Sequence, residues 1–460
     1  MDIGSIFPRL FGPLYYRRYE HAPGVYRQFR EYCRHDSLSA DELQAMQIAK
    51  LRKLLIHAYQ NTEHYRLLFH QAAFNPETIK SIDELSVLPL LSQDEVRSDR
   101  LNLYAGNIGS ADFHTSTTGG TRGKKMPFHR DNCCRAQRLA LQWRSDLWAG
   151  WRPYERVAYL WPAIQDLEPP AGWKHNVKDH LIKRTHLFYG GMISEESARI
   201  IYDDLREFRP AIIRCFTSPA YRLAEFMSRA GVRLPGLRAI VCTGEPITVH
   251  QRECIQRGIG APVFDLYASR ELGTTAAECK AHRGMHIAID SVVVETVRDG
   301  KAVPFGEPGS IVLTDLLNYA MPLIRYEIGD VGRISRRSCE CGLNYPLLRS
   351  VVGRTVDGFY DREGTFISTI ALGTLMDDGP PVGQLQLVQE DLGTILVRIG
   401  STPHVGEVHR QYYTRALKQL MAGLTEVRFE IVDQVKTEKS GKYRFTISKL
   451  TRPVSNSTAH

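Results

Sequence analysis

No apolar run in this 460-residue chain approaches the ~18 residues that a membrane-crossing helix needs, so no span is expected. Met1 to Tyr16 has no positive segment followed by an apolar core, so no secretory signal is expected either. The chain has no internal repeat and no low-complexity segment, which leaves a repeat array or a disordered tract without support. Cysteine is scarce and odd in number, nine in all, at spacings that suit thiols or metal ligands better than a disulfide frame. The cytoplasm is the expected location. Charge comes in no blocks. The net +8 is spread along the chain and favours anionic ligands mildly, without pointing to nucleic acid.

What is present is ordinary in bulk and specific in detail. Hydrophobic content of 43% and charged content of 24% suit a globular protein of two or three domains. The first hundred residues read as helical. Ser39 and Glu42 have the spacing of a capping box, and Leu51, Leu54, Leu55 and Ala58 recur at helical spacing. The middle alternates: apolar runs at Ala211–Phe216, Leu237–Cys242 and Pro262–Tyr267 are separated by helical patterns over 220–230 and 248–256. That β-α-β-α-β rhythm predicts a parallel sheet flanked by helices, with ligands beyond the carboxyl ends of the strands. Thr217-Ser218, Thr243-Gly244-Glu245 and Ala268-Ser269-Arg270-Glu271 each lie at such an end. Residues 285–334 read as a mixed β subdomain with runs at His286–Val297, Gly309–Leu317 and Pro322–Tyr326. The character changes after Gly358. Strands at 384–388, 394–399 and 427–432 and a helix over 405–422 predict a small α+β domain, with its boundary near Asp357.

The stretch His114–Lys125 holds three glycines, five hydroxyl residues and three cations in twelve positions. Glycine lets a backbone approach an anion closely, and free N–H groups can point at phosphate oxygens. It is not a Walker loop. That pattern needs glycine where Thr118 stands and serine or threonine where Lys125 stands.

Six motifs follow in order: this tract, Thr243-Gly-Glu, Asp265-Leu-Tyr-Ala-Ser-Arg-Glu271, Arg325-Tyr-Glu-Ile-Gly-Asp330, Gly353-Arg354 and Ser440-Gly-Lys-Tyr-Arg444. Together they resemble the adenylate-forming, acyl-CoA synthetase-like superfamily, and most nearly its phenylacetate–CoA ligases and capsule-biosynthesis-type proteins. The resemblance covers nearly the whole chain. It implies an α/β fold: a large N-terminal domain, 1–356, with parallel-rich sheets flanked by helices plus a β subdomain, and a small mobile α+β lid, 357–460.

The resemblance also implies roles. Thr118, Gly119, Gly120, Thr121, Arg122, Gly123 and Lys124 would hold the β- and γ-phosphates of ATP. Gly244, Glu245, Asp265, Tyr267 and the Ala268 and Arg270 positions beside them would shape the adenine slot, where a tyrosine face can stack on the base. Glu271 would hold magnesium, a hard cation that prefers oxygen. Asp330 would accept the ribose hydroxyls, and Arg354 would sit beside the nucleotide near a hinge at Asp357. Lys442 would reach in from the lid and neutralise charge developing at the α-phosphate. The chain departs from the family at Arg122, Lys125, Ala268 and Arg270. Residues 359–368, Phe-Tyr-Asp-Arg-Glu-Gly-Thr-Phe-Ile-Ser, stand where CoA ligases carry a glycine-containing segment that lines the pantetheine tunnel.

Cys279, His286, Cys339 and Cys341 have a spacing that would give a closed Cys₃His zinc site, structural rather than catalytic, with His282 as a rival fourth ligand. Some relatives resemble this arrangement. Five tryptophans crowd 143–173. Core packing is the expectation for most of them, and Trp161 is singled out as a wall of an acid pocket.

The expected chemistry is ATP-dependent adenylation of a carboxylic acid, aryl or similar, to acyl-AMP and pyrophosphate. The acyl group then passes to an acceptor: CoA by default, an amine or a carrier-protein thiol otherwise. A nucleotidyltransferase and a non-catalytic nucleotide-binding protein are the rival classes, and the joint presence of Glu271, Asp330 and Lys442 speaks against the latter.

Overall fold

The structure, a computed structural model, describes residues 24–118, 126–153, 155–161, 184–190, 193–298, 300–354, 358–362, 366–367, 372, 380, 382, 384–400, 405–421, 423–433, 435 and 445–450. The chain divides into two compact units: Met1–Glu245 with Cys254–Val351, and Pro246–Glu253 with Val352–His460.

In the first unit the helices Val25–His35, Ala40–Asn61 and Glu63–Gln71 lead. Ser39 caps the second of them in the predicted box, accepting from Glu42 N while its own N–H donates to the Glu42 carboxylate at 2.8 Å. Leu43, Leu51, Leu54, Leu55 and Ala58 line the buried face of that helix and join Tyr65, Phe69, Phe128 and Tyr326 in one core. Strands β1 (Phe113–Thr118) and β2 (Met126–Asp131) form an antiparallel hairpin. Helix Asn132–Trp148 follows it. Asp131 Oδ1 accepts from Cys134 N at 2.6 Å and so caps that helix.

The main sheet then builds from β3 (Val157–Trp161), β4 (Thr185–Tyr189), β5 (Ile212–Phe216), β6 (Ala239–Thr243) and β7 (Val263–Ser269), all paired parallel. Helix Thr217–Ala230 lies between β5 and β6, and helix Val249–Ile259 between β6 and β7. Every residue of β5 and β6 is buried, as in a sheet covered on both faces. The sheet continues antiparallel through β8 (Gly273–Glu278), β9 (Met285–Ile287), β10 (Val292–Arg298), β11 (Lys301–Ala302), β12 (Pro308–Asp315), β13 (Tyr326–Ser335) and β14 (Leu347–Arg354). Twelve strands result, in the order β11-β10-β12-β13-β14-β9-β8-β7-β6-β5-β3-β4. The sheet is mixed: the expected parallel strands lie side by side over β3–β7, and the β subdomain joins them antiparallel.

Two runs differ from the sequence reading. His286–Val297 is two strands, interrupted by a turn in which Asp290 is fully buried. Pro322–Arg325 is not strand. Pro322 has no N–H to give a ladder, and Arg325 turns to φ 51, with its N–H on Thr314 Oγ1 and its carbonyl accepting from Leu91 N. The run is apolar because it is buried, and hydrophobicity alone does not distinguish that from a strand.

In the second unit β15 (Phe359–Tyr360) pairs with β16 (Phe366–Ile367). β17 (Gln384–Asp391), β18 (Thr394–Gly400), β19 (Glu426–Val432) and β20 (Thr446–Ser448) form a four-stranded sheet in the order β19-β18-β17-β20. Helix Glu407–Leu420 places Tyr413 and Leu417 among Phe359, Leu385, Leu387, Ile395 and Val397 in a separate core.

Candidate active site and metal centre

Three parallel strands end side by side. β5 ends at Phe216 and runs straight into a helix through Thr217 and Ser218; β6 ends in Gly244-Glu245; β7 ends near Ala268-Ser269. Ser218 donates to Glu245 Oε2 through its backbone N–H at 2.8 Å and its hydroxyl at 2.7 Å, so two loops predicted to converge are bonded together. Thr217 Oγ1 adds a bond to the Glu245 carbonyl at 3.2 Å, and Thr243 Oγ1 donates to the Leu266 carbonyl at 2.8 Å. Gly244 sits at φ 79, and a Cβ there would lie 2.4 Å from Phe216 Cε1. Only glycine lets the Phe216 ring lie against this turn. Trp161, at the end of β3, meets that ring edge-on at 4.8 Å and 90°. Trp143 and Trp151 are buried in the core instead.

Asp265 and Tyr267 share one face of β7, two residues apart. Asp265 N donates to Glu278 Oε2 at 2.8 Å. Tyr267 OH donates to Asp330 Oδ2 on β13 at 2.7 Å. Three strands separate β7 from β13 in the sheet order, so the sheet curls enough here to bring this ring and this carboxylate together. Glu271 is buried just past β7 and accepts from Tyr326 OH through Oε1 at 3.3 Å. Ala268 is half-buried, and Arg270 points out as an exposed side chain. Thr118 closes β1 and Arg354 closes β14, but their side chains lie outside what is described. Gly119, Gly120, Thr121, Arg122, Gly123, Lys124, Asp357 and Lys442 lie outside the described residues.

Two side chains near Glu271 had no place in the sequence reading. Arg138, on helix Asn132–Trp148, pairs with Asp315 through Nη2 and Oδ2. Its stem packs against Gly273, where a Cβ would stand 3.3 Å from Arg138 Cδ. Arg130, on β2, lies with its guanidinium 4.8 Å from the centre of the Phe128 ring. Burial, then the neighbouring Arg138 charge, lowers the Arg130 pKa to about 10, while Asp315 and Glu271 act in the opposite sense. The available signal was the Asp131 N-cap opening an amphipathic helix directly after the glycine tract's hairpin.

Cys279, His286, Cys339 and Cys341 do come together, with their ligand atoms all within 4.8 Å of one another. Cys279 Sγ is 3.7 Å from Cys339 Sγ, and His286 Nε2 is 3.3 Å from both Cys279 Sγ and Cys341 Sγ. A tetrahedron built on ordinary zinc–sulfur and zinc–nitrogen bonds has edges of about 3.5–3.8 Å, so the donor set fits. His286 Nδ1 faces the Tyr345 carbonyl at 3.4 Å, which leaves Nε2 for the cluster. Burial pushes the Cys279 thiol up to about 12 and the His286 imidazole down to about 4. Buried thiols of this kind ionise when a cation takes them. His282 is not part of the set. Its Nδ1 bonds Glu278 Oε2 at 3.1 Å and its ring lies against Phe264.

Beside this cluster runs a buried polar brace. Arg144 forks onto Asp290, at 2.5 and 3.1 Å, and reaches Tyr345 OH at 2.9 Å. His35 Nδ1 meets the same Asp290 carboxylate at 3.0 Å. Asp36 accepts from Trp148 Nε1 and Tyr345 OH at 2.8 and 3.1 Å. The Trp148 ring in turn stands edge-on to His286.

Comparisons with known proteins bear on the family and the fold. The CapK C-terminal domain family matches residues 359–449. The phenylacetate–coenzyme A ligase of Thermus thermophilus is 27% identical over 374 residues, covering 78% of this chain and 81% of that protein. The Escherichia coli phenylacetate–coenzyme A ligase is 28% identical over 313 residues, covering 65% of this chain and 69% of that protein. Among solved structures, 2-hydroxyisobutyryl-CoA ligase in its postadenylation state superposes with a TM-score of 0.69 at 21% identity, over 90% of this chain and 91% of that one. At that identity the likeness speaks for the fold. No described helix is long and apolar enough to cross a membrane. The chain is thus a homologue of the phenylacetate–CoA ligases, with the fold of adenylate-forming CoA ligases and a CapK-type C-terminal domain.

Proposed function

We propose that this chain is an ATP-dependent, AMP-forming ligase. A carboxylic acid, aryl or similar, attacks the α-phosphate of ATP to give acyl-AMP and pyrophosphate. The acyl group then passes to CoA as a thioester. The observation that carries the reading is that β13 brings Asp330 to Tyr267 and Tyr326 to Glu271, with Glu245 at the end of β6 beside β7, in a chain homologous to phenylacetate–CoA ligases.

In this reading Tyr267 and the Gly244-Glu245 turn hold adenine with Asp265, Ala268 and Arg270. Asp330 holds the ribose. The Tyr267–Asp330 bond fixes the distance between the two halves of the nucleoside before ATP arrives, which lowers the ordering cost of binding. The glycine tract, 118–124, takes the outer phosphates. Glu271, buried and oriented by Tyr326, would hold magnesium, which neutralises phosphate charge when bound. Trp161 and Phe216 supply an apolar wall for the acid. Arg354 and Asp357 mark the passage to a lid, 357–460, that carries Lys442 to the α-phosphate. Orientation of the two reactants and fixed positive charge supply most of the acceleration. The Cys₃His cluster would hold zinc as a structural ion, pinning Cys279 and His286 at β8 and β9 to Cys339 and Cys341 ahead of β14. The substrates, ATP and CoA, suit a cytoplasmic setting.

Carboxylate-dependent ATP–pyrophosphate exchange tests the reading, beginning with phenylacetate and extending to other aryl and aliphatic acids. Lys442→Ala is expected to lower exchange by at least ~100-fold with nucleotide binding retained, as for loss of a transition-state charge contact. Exchange that survives this substitution intact would remove Lys442 from the mechanism.

A second reading concerns the acceptor alone. Residues 359–368 depart from the CoA-ligase pattern, and the CapK domain begins at the same place. An amine or a carrier-protein thiol then replaces CoA. AMP release stimulated by CoA separates this from release stimulated only by amines, and an adenylylated end product would instead signal nucleotidyl transfer.

A further inference from the structure

We infer that Arg138 and Arg130, with His114 beside them, form an anion subsite that takes the pyrophosphate end of ATP. This deepens the adenylation reading and rests on it. The starting point is hydrogen bonding that does not close. Arg138 is 8% exposed, and its Nε and Nη1 are buried without a hydrogen-bond partner among the described residues. Arg130 Nε and His114 Nδ1 are in the same condition. Buried guanidinium donors nearly always have acceptors, so several orphans in one place point to a missing acceptor.

The orphans are neighbours. His114 and Arg130 face each other in the β1–β2 register. The His114 pKa is lowered by burial and then by Arg130, Arg135 and Arg138, so all three arginines act at this spot. Arg135 itself is exposed.

The carboxylates nearby are committed elsewhere. Asp131 caps its helix through Cys134 N and accepts from Tyr319 N. Asp315 takes Arg138 Nη2 and Leu317 N. Glu271 takes Tyr326 OH. None of them reaches the orphan nitrogens. A cation on Glu271 would turn the local balance positive, and an oxyanion would then satisfy the donors and separate two like charges.

The anion is a phosphate because of what lies on either side. The β1–β2 hairpin that carries His114 and Arg130 ends in the glycine tract. On the other side Gly273, against the Arg138 stem, follows Glu271 by two residues. The subsite therefore lies on the two strands that the glycine tract joins, with Arg138 against Gly273, two residues past the proposed magnesium carboxylate.

The test uses inorganic pyrophosphate as the probe on the full chain, by calorimetric titration and as the varied substrate in exchange. Arg130→Met keeps an apolar stem over Phe128 and leaves no carboxylate unpaired. It is expected to weaken pyrophosphate binding, and to raise the KM for pyrophosphate, about tenfold, with AMP affinity unchanged. Arg138→Met should do the same or more, and Arg138→Lys should recover part of the loss. If Arg138→Met does not fold, Arg130→Met carries the test alone. Exchange that proceeds in Arg130→Met with the parent KM for pyrophosphate would overturn the subsite and leave the ligase reading intact. Pyrophosphate binding that needs both arginines, in a chain that supports no exchange with any acid, would keep the subsite and overturn the ligase reading. Binding that weakens in step for pyrophosphate, AMP and chloride would mean an adventitious ion only, and would also overturn the subsite.

Discussion

Arg138 and Arg144 sit on the same helix, both buried, and have opposite fates. Arg144 is closed on every side. Asp290 takes both of its terminal nitrogens, Tyr345 adds a third bond, and the rings of Tyr32, Trp148 and Tyr345 cover its faces. Among the described residues it leaves no buried nitrogen unpartnered. Arg138 has one carboxylate and, among the described residues, two buried nitrogens without a partner. A buried charge whose bonds all close within the chain braces the fold. A buried charge left open has a use for something the chain does not itself contain. The brace ties helix Val25–His35 to the turn at Asp290 and the segment around Tyr345. The open arginine lies with its stem against Gly273, two residues past Glu271.

The brace gives the largest expected effect. Asp290→Asn leaves the Arg144 charge buried without its partner and should cost ~3–5 kcal/mol of unfolding free energy, read by urea melts at pH 7. Burial by itself would raise the Asp290 pKa, but Arg144 and the His35 hydrogen bond outweigh it and hold the carboxyl well below the usual range. A depressed carboxyl contributes stability above its unfolded value of about 3.9 and loses it as pH falls toward the folded one. The gap between parent and variant should therefore narrow below about pH 4. The KM for pyrophosphate should stay at the parent value. A variant that melts normally and binds pyrophosphate poorly would erase the distinction between the two arginines.

The Cys₃His cluster lies between these cases. Its four donors meet one another, as in the brace, yet three thiols and an imidazole close no charge until a cation arrives. If zinc is held with free metal near 1,000 times Kd, its removal costs about 4 kcal/mol. A chelated sample should melt lower by about 5 °C and recover with zinc. Metal analysis should find about one zinc per chain. A metal-free preparation with the parent melting curve would place the cluster with the closed networks. The brace and the cluster share Tyr345, so Asp290→Asn should also loosen the metal.

What was legible in the sequence was local or periodic. The strand-helix alternation over 211–267 follows from burial on both faces of a parallel sheet, and the polar residues at each strand end follow from the same geometry. The Cys-x-Cys-Gly turn carries its own signal. The choice between His282 and His286 does not, because it depends on which histidine β9 turns toward the thiols and on Glu278 holding the other. Arg138 was silent because its meaning depends on a carboxylate 177 residues away and on bonds it fails to make. Asp290 was silent for the same reason: its partner Arg144 is 146 residues distant. Pro322–Arg325 misled because burial and strand look alike in a short apolar run.

The smallest expected effect tests the rim of the site. Tyr267 is half-buried, with its ring toward the proposed adenine slot and its hydroxyl on Asp330 at 2.7 Å. Tyr267→Phe keeps the ring and removes one hydrogen bond to a carboxylate. Solvent access discounts that bond to about 1 kcal/mol, which is roughly a fivefold rise in the KM for ATP. The rate at saturation should hardly change, because the bond orients the nucleoside and takes no charge from the reacting phosphate. Stability should move by less than about 0.5 kcal/mol, as for a partly exposed pair whose acceptor can turn to water. The opposite pattern, a clear loss of stability with the KM for ATP unmoved, would make the Tyr267–Asp330 bond a second brace across the curl of the sheet. Asp330 would then have its partner within the chain, as Asp290 does, and the ribose would need another acceptor.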